Sequence, residues 1–224
     1  MERRSAVPLV RLGILRSAPL VRANVGAMAL FGSWVGFQFI ATLYMQQLRG
    51  WSALETGLAI FPGGLMVALI APRIGGLVAR VGVGRLIVAG LTSAAIAYAL
   101  FLPIGLDSGY WAAVFPTMAL GGLGFALAYG PLNIAATNGI DAHEQGLAGG
   151  LVNTSFQFGG ALVLAVVTAV NAAAAGAGDS PEAVMDGYRP AVAVALIAAA
   201  LGAVATAARR RAPQPATELA EEGG

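Results

Sequence analysis

The sequence predicts an all-α membrane protein, a bundle of six transmembrane helices built as an inverted repeat of three helices and three. Three observations carry that prediction. Of 224 residues, 58% are hydrophobic and only 11% charged, where a soluble domain carries about 25% charged residues; the mean hydropathy is +0.76. So few charges cannot furnish a soluble surface, which makes the bilayer the solvent. The charges that exist divide the chain into six charge-free windows, at 23–48, 56–72, 86–106, 108–140, 145–178 and 190–208. Two phrases, "SALETGLA" at 52–59 and "DAHEQGLA" at 141–148, repeat one pattern 89 residues apart.

A helix crosses the hydrocarbon core with about 20 residues. The windows therefore place helices near 24–47, 55–78, 84–105, 110–134, 145–171 and 190–208. Strands of a membrane barrel would alternate apolar and polar residues over about ten positions, and these windows are apolar on every side. Residues 1–23 hold five arginines between short apolar runs. They read as a basic amphipathic segment on the cytoplasmic face and not as a signal peptide, which needs an uninterrupted apolar stretch. Residues 209–224 read as a disordered cytoplasmic tail. Orientation follows from arginine. The N-terminal segment, the loop with Arg73, Arg80 and Arg85, and the stop Arg209, Arg210 and Arg211 put eleven arginines on one side, against Arg49 and Arg189 on the other. That bias places both termini in the cytoplasm of a plasma-membrane protein. It also explains the basic balance as topology, so no nucleic-acid partner is expected.

The doubled phrase then acquires a position. Ser52 with Glu55 has the spacing of a capping box, in which an N-cap hydroxyl and an N3 carboxylate serve each other's backbone N–H groups. Asp141 with Glu144 has the same spacing. Ser52 is expected to start the second helix on the outside and Asp141 the fifth on the inside. Equivalent units entering from opposite sides are the mark of an inverted repeat, with Gly57 near the position of Gly146.

Three segments, "PLVRLGILR", "LYMQQLRGWSALETGLAIFPGG" and "GLAGGLVNTSFQFGGALVLAVV", resemble the major facilitator superfamily, in particular the C-terminal six-helix half of the fourteen-helix drug:proton antiporters. The likeness covers about 8–211. The stretch "GGLVARVGVGR" resembles part of that family's cytoplasmic-loop signature through Gly75, Leu77, Arg80 and Gly82, but Ala79 stands where the family has Asp. The resemblance implies multidrug efflux, a substrate cavity between two bundles, and proton coupling through groups of an N-terminal six-helix bundle. It thus implies a partner, either such a bundle or a second copy of the chain. A truncated, non-transporting remnant or a scaffold for other helices is the alternative.

The residues themselves favour a passage over an enzyme. No ionisable group lies near the middle of any window, whereas intramembrane ionisable groups mark proton relays. There is no Cys, and the single His143 lies in a loop, so no metal site, cofactor site or nucleophile-base pair is expected. Polar residues fall in stripes four apart: Gln38, Thr42 and Gln46; Asn153 and Gln157; and Phe125, Tyr129 and Asn133. Such residues share a helix face, and lipid cannot satisfy an amide. These faces turn to other helices or line a pathway for small apolar or weakly cationic compounds. Gly32 with Gly36, and Gly146 with Gly150, are small-xxx-small pairs that let helices approach. Pro62 and Pro131 lie inside predicted helices and kink them.

Overall fold

The computed structural model describes residues 17–174 and 180–208. Among them are seven α-helices and no strand. The first helix, α1 (Ala18–Leu43), continues through a π turn, Tyr44–Leu48. Then come α2 (Ala53–Ile70), a 3-10 turn at Ala71–Arg73, and α3 (Ile74–Val81). After α4 (Val83–Phe101), a π turn at Tyr110–Val114 leads into α5 (Phe115–Thr137). The last two are α6 (Gln145–Ala174) and α7 (Pro181–Ala207). With α2 and α3 taken as one interrupted span, six helices are long and apolar enough to cross a membrane.

Several ends differ from the sequence expectation. The first span begins at Ala18 and not near 24, because Pro19 pre-sets the first turn and Arg22 folds back to donate to the Ala18 and Ala208 carbonyls. The last begins at Pro181 and not near 190. Ser180 caps it by accepting from the Ala183 N–H, and Glu182 in the first turn complements the dipole. Charge thus enters a helix end where it can reach water, and a charge-free window stops short of it. The second span is not continuous. Pro72 has no N–H to donate, and the ladder tightens into the 3-10 turn. Residues 1–16 and 209–224, which include most of the expected amphipathic segment and the whole tail, lie outside the described residues.

α1 and α5 cross in the centre. α1 packs on α6 and α7, α5 packs on α4 and α2, and α4 packs on α7 behind them. One core cluster gathers Phe37, Tyr44, Tyr98, Phe101 and Tyr188 at one end; the other gathers Leu20, Leu91, Leu132, Ala148 and Val152 at the opposite end. The start of α2 lies with the first, where Trp51 contacts the Tyr110 ring at 6.2 Å, and the start of α6 lies with the second. The two helices therefore begin at opposite ends of the bundle. Only one of their caps matches the expectation. Ser52 and Glu55 form the reciprocal box, with the Ser52 N–H donating to Glu55 at 2.8 Å and the Glu55 N–H to Ser52 Oγ at 3.2 Å. Asp141 does not start α6. Its carbonyl accepts from the Glu144 and Gln145 N–H groups in a preceding turn, and the helix starts at Gln145.

The helices approach most closely at glycines, and not always at the expected ones. Gly32 lies against Gly159, and Gly36 against Val163 and Val167. Nothing stands within 4 Å of a Cβ on Gly146 or Gly150, so that pair mediates no contact inside this bundle. On the other flank Gly122 of α5 lies against Gly63 of α2. The two contacts share a sequence pattern. "MALFG" at 28–32 puts Met28 and Gly32 against Gly159, and "MALGG" at 118–122 puts Met118 and Gly122 against Gly63. These contacts relate α2 to α6 through Gly63 and Gly159, 96 residues apart. The doubled phrase, at 89, is out by about two turns, so Gly57 does not correspond to Gly146 in this register.

Candidate functional site

Aromatic rings from three helices converge on the face that α1, α5 and α6 share. On α5, Phe125 stacks on Tyr129 (5.2 Å, 14°), because residues four apart stand one above the other on a helix. Tyr129 stacks in turn on Phe156 of α6 (5.0 Å, 29°). Phe31 of α1 meets Phe156 edge-on at 6.0 Å, and Trp34 lies 5.5 Å from Phe125. The indole lies close over Gly121, where a Cβ would sit a tight 3.3 Å from it. The cluster is not sealed. Tyr129 remains 40% exposed, and the ring stack opens outward through it.

Amides border this opening. Asn133 donates to the Tyr129 carbonyl at 2.9 Å and Asn153 to the Gly149 carbonyl at 3.0 Å. Each spends its NH2 on its own helix, and its oxygen has no partner among the described residues. Asn153 and Gln157 are both exposed on α6, so their stripe does not turn to another helix of this bundle. Polar side chains on a membrane helix need a partner or water. The structure thus brings Phe125, Tyr129, Asn133 and Asn153 to one region, with Gln157 on the adjoining turn.

The α1 stripe lies farther along the bundle. Gln38 is one turn beyond Trp34, and its Oε1 is buried without a hydrogen-bond partner among the described residues. Thr42 is half-buried, and Gln46 is exposed within the π turn. The wider π turn breaks the four-residue spacing, so Gln46 does not continue the line of Gln38 and Thr42. The residue that finds a partner there is Gln47, whose side-chain oxygen accepts from the Tyr188 hydroxyl at 3.0 Å. Beside it, Tyr44 donates to the Gly105 carbonyl at 2.8 Å, and Arg49 donates to Tyr44 Oη at 3.1 Å and to the Ser108 carbonyl at 2.6 Å. This lattice ties the ends of α1 and α4 to the start of the fourth span, and nothing in its spacing advertises it.

The loop signature is mostly not a loop. Gly75, Leu77 and Arg80 lie within α3, and Gly82, at φ +88°, makes the sharp passage into α4. That backbone conformation favours glycine. Among the described residues no three His, Cys, Asp or Glu gather to hold a metal ion. His143 is exposed in the turn before α6.

Comparison with known proteins is consistent with this architecture. The family model of the Major Facilitator Superfamily matches residues 2–164. The chain is 30% identical over 218 residues to a lincomycin resistance protein of Streptomyces lincolnensis, covering 96% of this chain and 44% of that one. It is 34% identical over 202 residues to a puromycin resistance protein of Streptomyces alboniger (84% and 39%). It is 30% identical over 173 residues to the multidrug resistance protein Stp of Mycobacterium tuberculosis (77% and 32%). The chain spans 32–44% of the length of these relatives.

Proposed function

Because the chain belongs to the major facilitator superfamily, a family of membrane transporters, we propose that this multi-pass bundle is the C-terminal half of an efflux permease. It exports small apolar or weakly cationic compounds when it faces a second bundle. The observation that carries this reading is the open face of Tyr129, Asn133, Asn153 and Gln157. Its rings and amides lie at membrane depth without a cover, and lipid cannot satisfy the amides. An opposing bundle with water and substrate between them supplies what this face lacks. Aromatic faces and uncharged amides suit a small apolar or weakly cationic guest.

The partner is an N-terminal six-helix bundle or a second copy of the chain, and transport is rocking of the two about the shared cavity. The charge-free interior of the described spans supports a proton-coupling group in that partner. The contacts of "MALFG" and "MALGG", and the opposite-end starts of α2 and α6, favour a three-plus-three inverted repeat. Arg22, Arg73, Arg80 and Arg85 share one end of the bundle, which favours cytoplasmic termini in the cell membrane.

The test is purification in mild detergent followed by reconstitution. The chain is expected to elute with a second bundle or a second copy, and to export drug in a proton-dependent manner only in that assembly. A monomer that drives proton-dependent efflux unaided would overturn the reading. An assembly that binds helices but never transports would favour the scaffold alternative.

A further inference from the structure

Behind the aromatic face, α4 and α7 form a surface that the transport reading does not use. A groove of about 600 Å³ runs along the outer side of α4, from Arg85 at its mouth to Ile96 at its deep end. Thr206 of α7 borders it on one side and Leu120 of α5 on the other. A second hollow of about 190 Å³ shares Gly84 and Thr206 with the first and adds Arg22. The eleven residue steps from Arg85 to Ile96 span about 16 Å of helix, close to the depth of one leaflet of a ~30 Å hydrocarbon core.

The polar groups are arranged by depth. Arg85 is exposed and makes no hydrogen bond or ion pair with a described residue. Arg22 commits Nε and Nη1 to the Ala18 and Ala208 carbonyls and keeps Nη2. Two turns below Arg85, Thr92 also has no hydrogen-bond partner among the described residues. Its neighbours are satisfied: Ser93 donates to the Leu120 carbonyl at 2.9 Å and Thr206 to the Gly202 carbonyl at 2.8 Å. Below Ser93 the groove is lined by Ile96 and Leu120 and is apolar.

We propose that this groove holds one anionic phospholipid of the leaflet at the arginine-rich end. Its phosphate is held by Arg85 with Arg22 reaching over from the adjoining hollow, its ester region meets the Thr92 hydroxyl, and one acyl chain lies along Ile96 and Leu120. Charge complementarity selects the occupant. Arg85 at the mouth of an apolar groove, with Arg22 lining the hollow that adjoins it, matches a molecule with one anionic end and one hydrocarbon end. A neutral drug leaves both cations unmatched.

The test is native mass spectrometry of the full chain in mild detergent, with phosphatidylglycerol or phosphatidylcholine of the same acyl chains. The wild type is expected to retain one phosphatidylglycerol about fivefold or more over phosphatidylcholine. Arg85→Gln should bring that ratio close to one, and Arg85→Lys should preserve most of it. Thr92→Trp, which fills the groove and leaves both arginines, should expel the bound lipid; melting curves establish that each variant is folded. Equal retention of the two lipids by the wild type, or an undiminished preference in folded Arg85→Gln or Thr92→Trp, overturns the proposal. So does displacement of the lipid by inorganic phosphate at equal concentration, which would mark a soluble-anion site. If phosphatidylglycerol binds only after Glu218, Glu221 and Glu222 are changed to Gln, the groove takes the chain's own tail, and the proposal also fails.

Discussion

Gly32 of α1 and Gly159 of α6 meet backbone to backbone: a Cβ added to Gly32 would fall 2.6 Å from the Gly159 carbonyl oxygen. A carbonyl on a rigid helix cannot step aside as a side-chain tip can. Gly32→Ala is therefore expected to push α1 from α6 and cost about 1–3 kcal/mol, the usual range for overpacking. Gly150→Ala, on the same α6 but with open space around it, should melt at or slightly above the wild type, since Ala favours a helix over Gly. Melting of the two variants in detergent checks the contrast. Equal destabilisation would mean that the glycine contact is not what holds α1 to α6.

The same logic applies at the other end, where one cation satisfies two oxygens. Arg49 donates to Tyr44 Oη and to the Ser108 carbonyl, and Tyr44 donates to the Gly105 carbonyl. Tyr44→Phe removes the bonds through one hydroxyl and is expected to cost about 0.5–1.5 kcal/mol. Arg49→Ala removes charge-assisted bonds and is expected to cost about 1.5–3 kcal/mol. Because the two side chains share a bond, the double variant should lose less than the sum. Strict additivity in a double-mutant cycle would show that they act independently.

The helix cap supplies a third comparison. Ser52→Ala deletes a cap that is present in the structure and should lower stability by about 0.5–2 kcal/mol. Asp141→Ala leaves the carbonyl that closes the turn before α6 untouched and should cost distinctly less. The melting difference between the two variants reads this directly.

These comparisons show which parts of the fold were legible in the sequence. The six spans were, because hydrocarbon excludes charge and the charged residues mark where each span stops. The ends were less so, since Arg22, Glu182, Asp186 and Arg189 all lie inside helices near water. A small-xxx-small pair says that a helix can be approached but not that a neighbour is there, which is why Gly146 and Gly150 misled where Gly159 and Gly160 make the contacts. The phrase around Glu55 and Glu144 repeats a local capping pattern, and local patterns recur without sharing a place in the packing. "MALFG" and "MALGG" repeat a contact, and that signal was available in the sequence. The polar stripes on α5 and α6 were legible from four-residue spacing. The Gln38 line failed at Gln46, because a π turn leaves no mark in composition.

The open face can be tested against the outer face of α7 by cysteine labelling, because the chain contains no native Cys. A single cysteine introduced in place of Gln157 or Asn153 is then the only thiol. The thiolate attacks a charged, water-soluble thiol reagent, and a thiolate forms only where water can reach it. If the amide face borders an aqueous pathway in the assembled permease, Gln157→Cys should be labelled in membranes, and an excess of transported drug should slow the labelling. Leu201→Cys is the control. Leu201 is 64% exposed on α7, more open than Tyr129, yet on the pathway reading it faces hydrocarbon, so it should resist the same reagent with or without drug. Exposure alone predicts that Leu201→Cys labels readily; the pathway reading predicts the reverse order. Labelling of Leu201→Cys as fast as Gln157→Cys would remove the distinction on which the pathway face rests.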